Sequence, residues 1–295
     1  MTPLLQVNNL TKWFGKIQAV NSLTFSVNRG EIVGILGPNG SGKSTTLALL
    51  LGVKFPDGGY FRWFDNKPNT PDNKRIGSLL EVPYFFPYLN LKRNLELVAR
   101  VRGSGLSDIN KVLDMVGLLP RSKSEYYTLS LGMKQRLAIA SALLGDPEVL
   151  ILDEPTNGLD PEGIAEVRNL IVEQTQRGKT IIMASHILSE VEKVCTDVVI
   201  LKNGEMLSKG PVGMLLKDKT MATVCADNVS ALNDALVELS DVKIVEQKGG
   251  RFLVALEDSM TTTDLNRGLS EKGVILSELE IYRKTLESQF LEMVK

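Results

Sequence analysis

The sequence predicts an α/β fold: a mainly parallel sheet wound on both sides, followed by a small α+β unit. Three observations carry that expectation. Short strand-like runs alternate with amphipathic helical stretches. The run Val149-Leu150-Ile151-Leu152 is apolar throughout, as a strand covered on both faces must be. The periodic pattern then breaks, and charge accumulates, between Gly210-Pro211 and Asp218-Lys219.

Strand-like runs at 4–7, 23–27 and 31–36 are separated by turn residues, and a helical stretch follows at 44–51. Two amphipathic helices are expected at 91–102 and 107–118, the second opened by Ser107-Asp108 and ended near Gly117 and Pro120. Strand 148–152 resumes the alternation. Asp160-Pro161 starts a helix through Gln176, with Ile164, Val167, Leu170 and Ile171 on one face and Gly178 as its stop. Strands at 180–184 and 198–201 follow, and Lys202-Asn203-Gly204-Glu205 reads as a hairpin turn. Beyond the boundary the pattern gives strand 222–226, helix 229–239, strands 242–247 and 251–256 turning at Gly249-Gly250, helix 263–268, strand 274–281 and helix 286–294. Domains are therefore expected at 1–218 and 219–295.

Composition narrows the function classes. With 295 residues, 43% apolar and 23% charged, disorder, collagen and a disulfide scaffold are excluded. Thirty-four Lys and Arg against 35 Asp and Glu give a net charge of −1, so no general attraction to nucleic acid is expected. Cys195 and Cys225 fit no metal or disulfide spacing and read as two small buried hydrophobes in a reducing compartment. No run of about 18 apolar residues occurs, and the first residues lack a basic stretch followed by an apolar one, so neither a membrane span nor an export signal is expected.

The chemistry starts at Gly37-Pro38-Asn39-Gly40-Ser41-Gly42-Lys43-Ser44, which fits G-x-x-x-x-G-K-[ST] without mismatch and lies between an apolar strand and a helix. Glycines let consecutive backbone N–H groups converge on phosphates, and the first helical turn adds unpaired donors. Lys43 is expected to bridge the β and γ phosphates, Ser44 to take a place on Mg²⁺ and Thr45 to add a phosphate contact. Asp153 and Glu154 end the apolar strand at the edge where such a sheet binds its ligand. Asp153 can hold Mg²⁺ through water, and Glu154 can orient, or take a proton from, the water that attacks the γ-phosphate. His186, the one histidine of the chain, follows strand 180–184 to the same edge, where an imidazole can bond the γ-phosphate.

Between these motifs stands Leu129-Ser130-Leu131-Gly132-Met133-Lys134-Gln135-Arg136. With it, residues 4–218 resemble the ATP-binding subunit of an ABC transporter, whose signature is L-S-G-G-Q. Here Leu131 and Met133 replace a glycine and a glutamine, while Ser130 and Gly132 remain. The resemblance implies a P-loop NTPase of ABC type, with a RecA-like parallel core, an antiparallel β subdomain and a helical subdomain at about 82–142. By the same resemblance Phe14, beside Trp13, matches the aromatic that stacks on adenine, a core aromatic being the competing reading. Asn157-Gly158-Leu159-Asp160 matches the D-loop, and Asp160 is also the helix N-cap. Glu81 stands where the family usually has a glutamine. Its carboxylate still offers oxygen to Mg²⁺ but adds charge near the γ-phosphate, so tolerance rather than loss of activity is expected. The segment Val82-Pro83-Tyr84-Phe85-Phe86-Pro87-Tyr88 matches the region that meets the membrane subunit, or else fills the helical subdomain's core.

The resemblance further implies ATP and Mg²⁺ as cofactors, a head-to-tail homodimer with ATP at the seam, separate transmembrane permease subunits, and a cytoplasmic place on the membrane's inner face. Glu81, the altered signature and the C-terminal unit are together similar to the bacitracin and lantibiotic exporter or immunity branch. Two other readings stay open: an ABC-type ATPase acting on ribosomes or nucleic acid, and a nucleotide-gated switch with little hydrolysis.

Overall fold

The computed structural model describes residues 3–72, 74–80, 85–215, 221–257 and 260–282, with Leu286 and Phe290. The chain divides between Val212 and Gly213 into two compact units. In the first, β1 (Leu5–Phe14) and β2 (Ile17–Val27) form an antiparallel hairpin. β3 (Ile32–Leu36) leads through the phosphate loop to α1 (Lys43–Leu50), and β4 (Gly58–Trp63) returns to pair with β1, giving a sheet ordered β2-β1-β4. Between β5 (Ile76–Leu79) and β6 (Val149–Asp153) lie α2 (Leu91–Arg102), α3 (Ile109–Met115) and α4 (Leu131–Leu143). α5 (Pro161–Gln176), β7 (Thr180–Ser185), α6 (Leu188–Val194), β8 (Asp197–Lys202) and β9 (Glu205–Pro211) complete the unit. The larger sheet runs β5-β6-β7-β3-β8-β9, parallel except for β9.

Every residue of β3, β6 and β7 is buried, which explains their unbroken apolar runs. Capping sets the helix starts: the Asn90 side chain accepts the Arg93 N–H at 2.9 Å for α2, and the Asp160 side chain accepts the Gly163 N–H at 3.0 Å for α5. Residues of the antiparallel sheet, α1 and the parallel strands share one core. Trp63 is wholly buried there and donates its indole N–H to the Leu50 carbonyl at 2.7 Å, so its one polar group is satisfied.

Two contacts join the helical insertion to the sheet. A Cβ on Gly77 of β5 would collide with the Ala142 carbonyl oxygen of α4. The Arg102 guanidinium, at the end of α2, donates to the carbonyls of Ile76 (2.8 Å) and Ala142 (3.3 Å), and burial lowers its pKa.

Arg75 and Arg29 converge on Glu148, at 2.6 and 2.9 Å, and Arg75 also stacks on the Phe64 ring at 3.4 Å. The Arg75 hydrogen bond is the main cause that holds the Glu148 carboxyl down at about 2. A depressed carboxyl pKa favours the folded state above the unfolded pKa, and that contribution fades as pH falls through the window from 4.5 to about 2. Glu148→Gln should therefore flatten the acid limb of the stability curve in that window. Because the groups are partly exposed, the cost at neutral pH should be about 1 kcal/mol or less. Chemical denaturation at several pH values reads both, and an unaltered acid limb would contradict the ion pair's role.

α7 (Val212–Leu215) follows at the boundary. In the second unit β10 (Met221–Ala226), α8 (Val229–Val237), β11 (Val242–Lys248), β12 (Arg251–Leu256), α9 (Thr262–Glu271) and β13 (Leu276–Tyr282) build an antiparallel sheet ordered β11-β12-β10-β13 with a core of its own. A capping box between Thr261 and Asp264 starts α9.

The structure differs from the sequence expectation at several elements. The first two strands extend far beyond 4–7 and 23–27, because register shifts in β1 break the strict alternation that marks a strand. β4 was not anticipated: it begins on Gly58-Gly59. The expected helix 107–118 is shorter, opening with a 3₁₀ turn at Leu106–Asp108. Cys195 is buried, and its thiol is pushed up to about 12 by desolvation, whereas Cys225 is only half-buried and faces Glu278. Helix 286–294 falls almost wholly outside the described residues.

Candidate functional site

The site gathers at the C-terminal ends of β3, β6 and β7, the edge where a parallel sheet leaves backbone donors and strand-end side chains facing one region. After β3 the loop of residues 37–42 is pressed against its neighbours. A Cβ on Gly37 would collide with Ser41 Oγ and the Leu201 carbonyl oxygen. Gly42, in the left-handed region at φ 101°, would drive one into the Ala19 carbonyl oxygen. The start of α1 has no side-chain cap, so its first amides are left for an outside acceptor. Lys43 is 7% exposed, and its Nζ donates to the carbonyls of Gly37 (2.8 Å) and Pro38 (3.3 Å). These two bonds pin the ammonium over the loop. Ser44 is exposed and Thr45 half-buried; Pro38, Asn39 and Gly40 complete the loop.

At the end of β6, Asp153 is 9% exposed and Glu154 takes a left-handed backbone at φ 48°. The Glu154 N–H continues the ladder to the Ala184 carbonyl of β7 at 3.0 Å. Its Oε2 accepts the His186 backbone N–H at 3.3 Å and lies 2.7 Å from His186 Nδ1. The carboxylate therefore accepts a hydrogen bond from Nδ1–H, and Nε2 faces away from it. A positive φ in a glutamate is strained, and this pairing joins the backbone bond to Ala184 in holding it.

Ser130 caps α4, its Oγ accepting the Met133 N–H at 3.3 Å. A cavity of about 440 Å³ is lined by Ser130, Leu131 and Gly132 on α4's side and by Gly158, Leu159 and Asp160 on the other, so the structure brings the signature and the D-loop match together in one chain. Phe14 is 41% exposed at the end of β1, which rules out the core reading for this ring. The ammonium groups of Lys54 and Lys12 stand 5.1 and 5.8 Å from its centroid. Asp57 orders that corner by accepting from the Trp13 N–H and from Lys12, which hold its carboxyl below the usual range.

Glu81 lies outside the described residues, as do Val82, Pro83 and Tyr84. Of the aromatics that follow, Phe85 is buried against Tyr126 at 5.3 Å, while Phe86 and Tyr88 are exposed, 6.0 Å apart. Sequence reasoning did not anticipate the lysines flanking Phe14 or the pairing of Arg136 with Glu166 at 3.4 Å. Lys54 and Phe14, like Arg136 and Glu166, are distant in the chain, and no motif marks any of these contacts.

A phosphate loop, a carboxylate and imidazole on adjacent strand ends, and a serine-capped helix set between strands of the same sheet define an ATP-binding cassette, and the chain belongs to the ATP-binding subunits of ABC transporters. Residues 20–157 match the family described as ABC transporter. The bacitracin transport ATP-binding protein BcrA of Bacillus licheniformis is 36% identical, over 100% of this chain and 98% of that one. The lantibiotic transport ATP-binding protein SrtF of Streptococcus pyogenes is 38% identical over 69% of this chain and 89% of its own. Among solved structures, a dimeric post-hydrolysis state of an ATP-binding cassette bound to ADP and Pi superposes with a TM-score of 0.62 at 26% identity, covering 70% of this chain and 98% of that one.

Proposed function

We propose that this ATP-binding subunit hydrolyses ATP at the seam of a head-to-tail homodimer and thereby powers export of a peptide antibiotic or similar amphipathic cargo through separate permease subunits. The observation that supports hydrolysis best is the Glu154–His186 pair at 2.7 Å, on the ends of β6 and β7, with β7 lying beside β3 and its phosphate loop. Glu154 orients the attacking water and takes its proton, and His186, held through Nδ1, turns Nε2 to the γ-phosphate, to which it donates when the ring carries both protons. Lys43 and the α1 amides neutralise the phosphate charge.

Ser44 and Asp153, with Glu81 by resemblance, would hold Mg²⁺. A hydroxyl and carboxylates are the hard oxygen donors that ion takes, and it would supply charge neutralisation for the phosphates. Among the described residues no cluster of His, Cys, Asp and Glu offers a complete metal cage, as befits an ion shared with a nucleotide. Ser130 and Gly132 would close on the partner's ATP, with Asp160 beside them and Phe14 stacking on adenine. The relatives named for bacitracin and lantibiotic transport support the export reading. No helix among the described residues is long and apolar enough to cross a membrane, so association with the membrane would run through the permease. A net charge of −1 gives no support to the nucleic-acid reading.

The purified chain should release phosphate from ATP in a Mg²⁺-dependent manner and capture an integral membrane protein from its source membranes. Absence of phosphate release would reduce it to a nucleotide-gated switch. Capture of ribosomes in place of a membrane protein would overturn the transport role.

A further inference from the structure

Position 131 is a leucine where the family's signature has a glycine, and the structure shows what that side chain does. Leu131 is the first residue of α4, is 55% exposed, and lines the cavity with Gly158. Its Cδ2 lies 3.5 Å from where a Cβ on Gly158 would stand. Gly158 has φ 74°, a conformation that side chains resist, so the space above it is vacant by backbone necessity and the leucine reaches over it. Farther along α4, Arg136 pairs with Glu166 of α5 at 3.4 Å while its Nη1 donates to the Val116 carbonyl at 3.1 Å. Both Arg136 and Glu166 line the same cavity. An ion pair therefore ties α4 to α5, and Leu131 stands beside Gly158 at the leading ends of the two helices. The segment of residues 157–160 is otherwise held by local bonds, Asn157 N–H to the Glu154 carbonyl at 3.1 Å and Leu159 N–H to the Thr156 carbonyl at 3.3 Å.

We propose that Leu131 is a positioning residue: it braces the segment of residues 157–160 against the start of α4, so that Ser130, Gly132 and Asp160 meet a nucleotide-loaded partner as one preassembled surface. This rests on the dimer reading above. Assembly from a preorganised surface loses less freedom than assembly from two independently moving pieces, so the brace strengthens association without touching nucleotide. The Arg136–Glu166 pair sets the distance between the helices, and Leu131 sets that of their leading ends.

The test uses the full chain with Leu131→Ala, which keeps a good helix former, and Leu131→Met, which restores the reach. In the nucleotide-free chain, Leu131→Ala should speed amide hydrogen exchange at residues 157–160 by about tenfold. Nucleotide affinity of the monomer, through its own loop, should not change. The chain concentration giving half-maximal ATP hydrolysis should rise by about fivefold, as expected for one lost apolar contact, and Leu131→Met should return both readouts to those of the parent. Unchanged exchange at 157–160 in Leu131→Ala would overturn the brace whatever the dimer does. Faster exchange with no change in the concentration dependence would overturn its role in association. A parent chain whose specific activity is independent of concentration would overturn the dimer reading itself, with the exchange result still judging the brace.

Discussion

Glu154→Gln should lower phosphate release by about a hundredfold or more while leaving ATP binding intact, because it removes the proton acceptor and keeps the shape. The amide can still receive the His186 N–H groups through its oxygen, so the strained backbone at φ 48° keeps its anchor. With hydrolysis blocked, the γ-phosphate that would join two copies persists, and a long-lived ATP-bound dimer should accumulate on size exclusion with Mg²⁺ and ATP. A variant that stays monomeric under those conditions would count against the shared site. Unreduced hydrolysis would remove Glu154 from the chemistry.

Gly77→Ala should destabilise the chain by about 3 kcal/mol. The added carbon would collide with the Ala142 carbonyl oxygen and sit 2.9 Å from Pro147 Cγ, so neither α4 nor the approach to β6 can stay in place. Urea unfolding should show a lower midpoint. A midpoint equal to that of the parent would mean that the helix and strand are free to separate, against the close packing described.

The motifs contained within one short stretch were legible in the sequence. Gly37 to Ser44 announces itself because phosphate binding needs consecutive backbone amides, and consecutive amides are local in sequence. α5 was legible to the residue, since Asp160 caps it, Pro161 opens it and Gly178 stops it. β4 was not, because two glycines lead it and its outward positions hide the period. Nor were the links that depend on the third dimension: Lys54 beside Phe14, the Arg136 pairing with Glu166, and the place of Leu131 beside Gly158 bridge separations of 27 to 40 residues. His186 was placed correctly at the strand edge, but its direct bond to Glu154 came only from the β6–β7 register, where Asp153 stands opposite Ala184.

Arg102 has a mechanical consequence. Its guanidinium grips one carbonyl of the sheet and one of α4 from a half-buried position, and letting go of either would strand a charge away from water. Any swing of α2, α3 and α4 relative to the strands is therefore cheapest as rotation about that point. In such a swing Arg102 would serve as a fulcrum, and small displacements near it would become larger travel at the far tips of the helices.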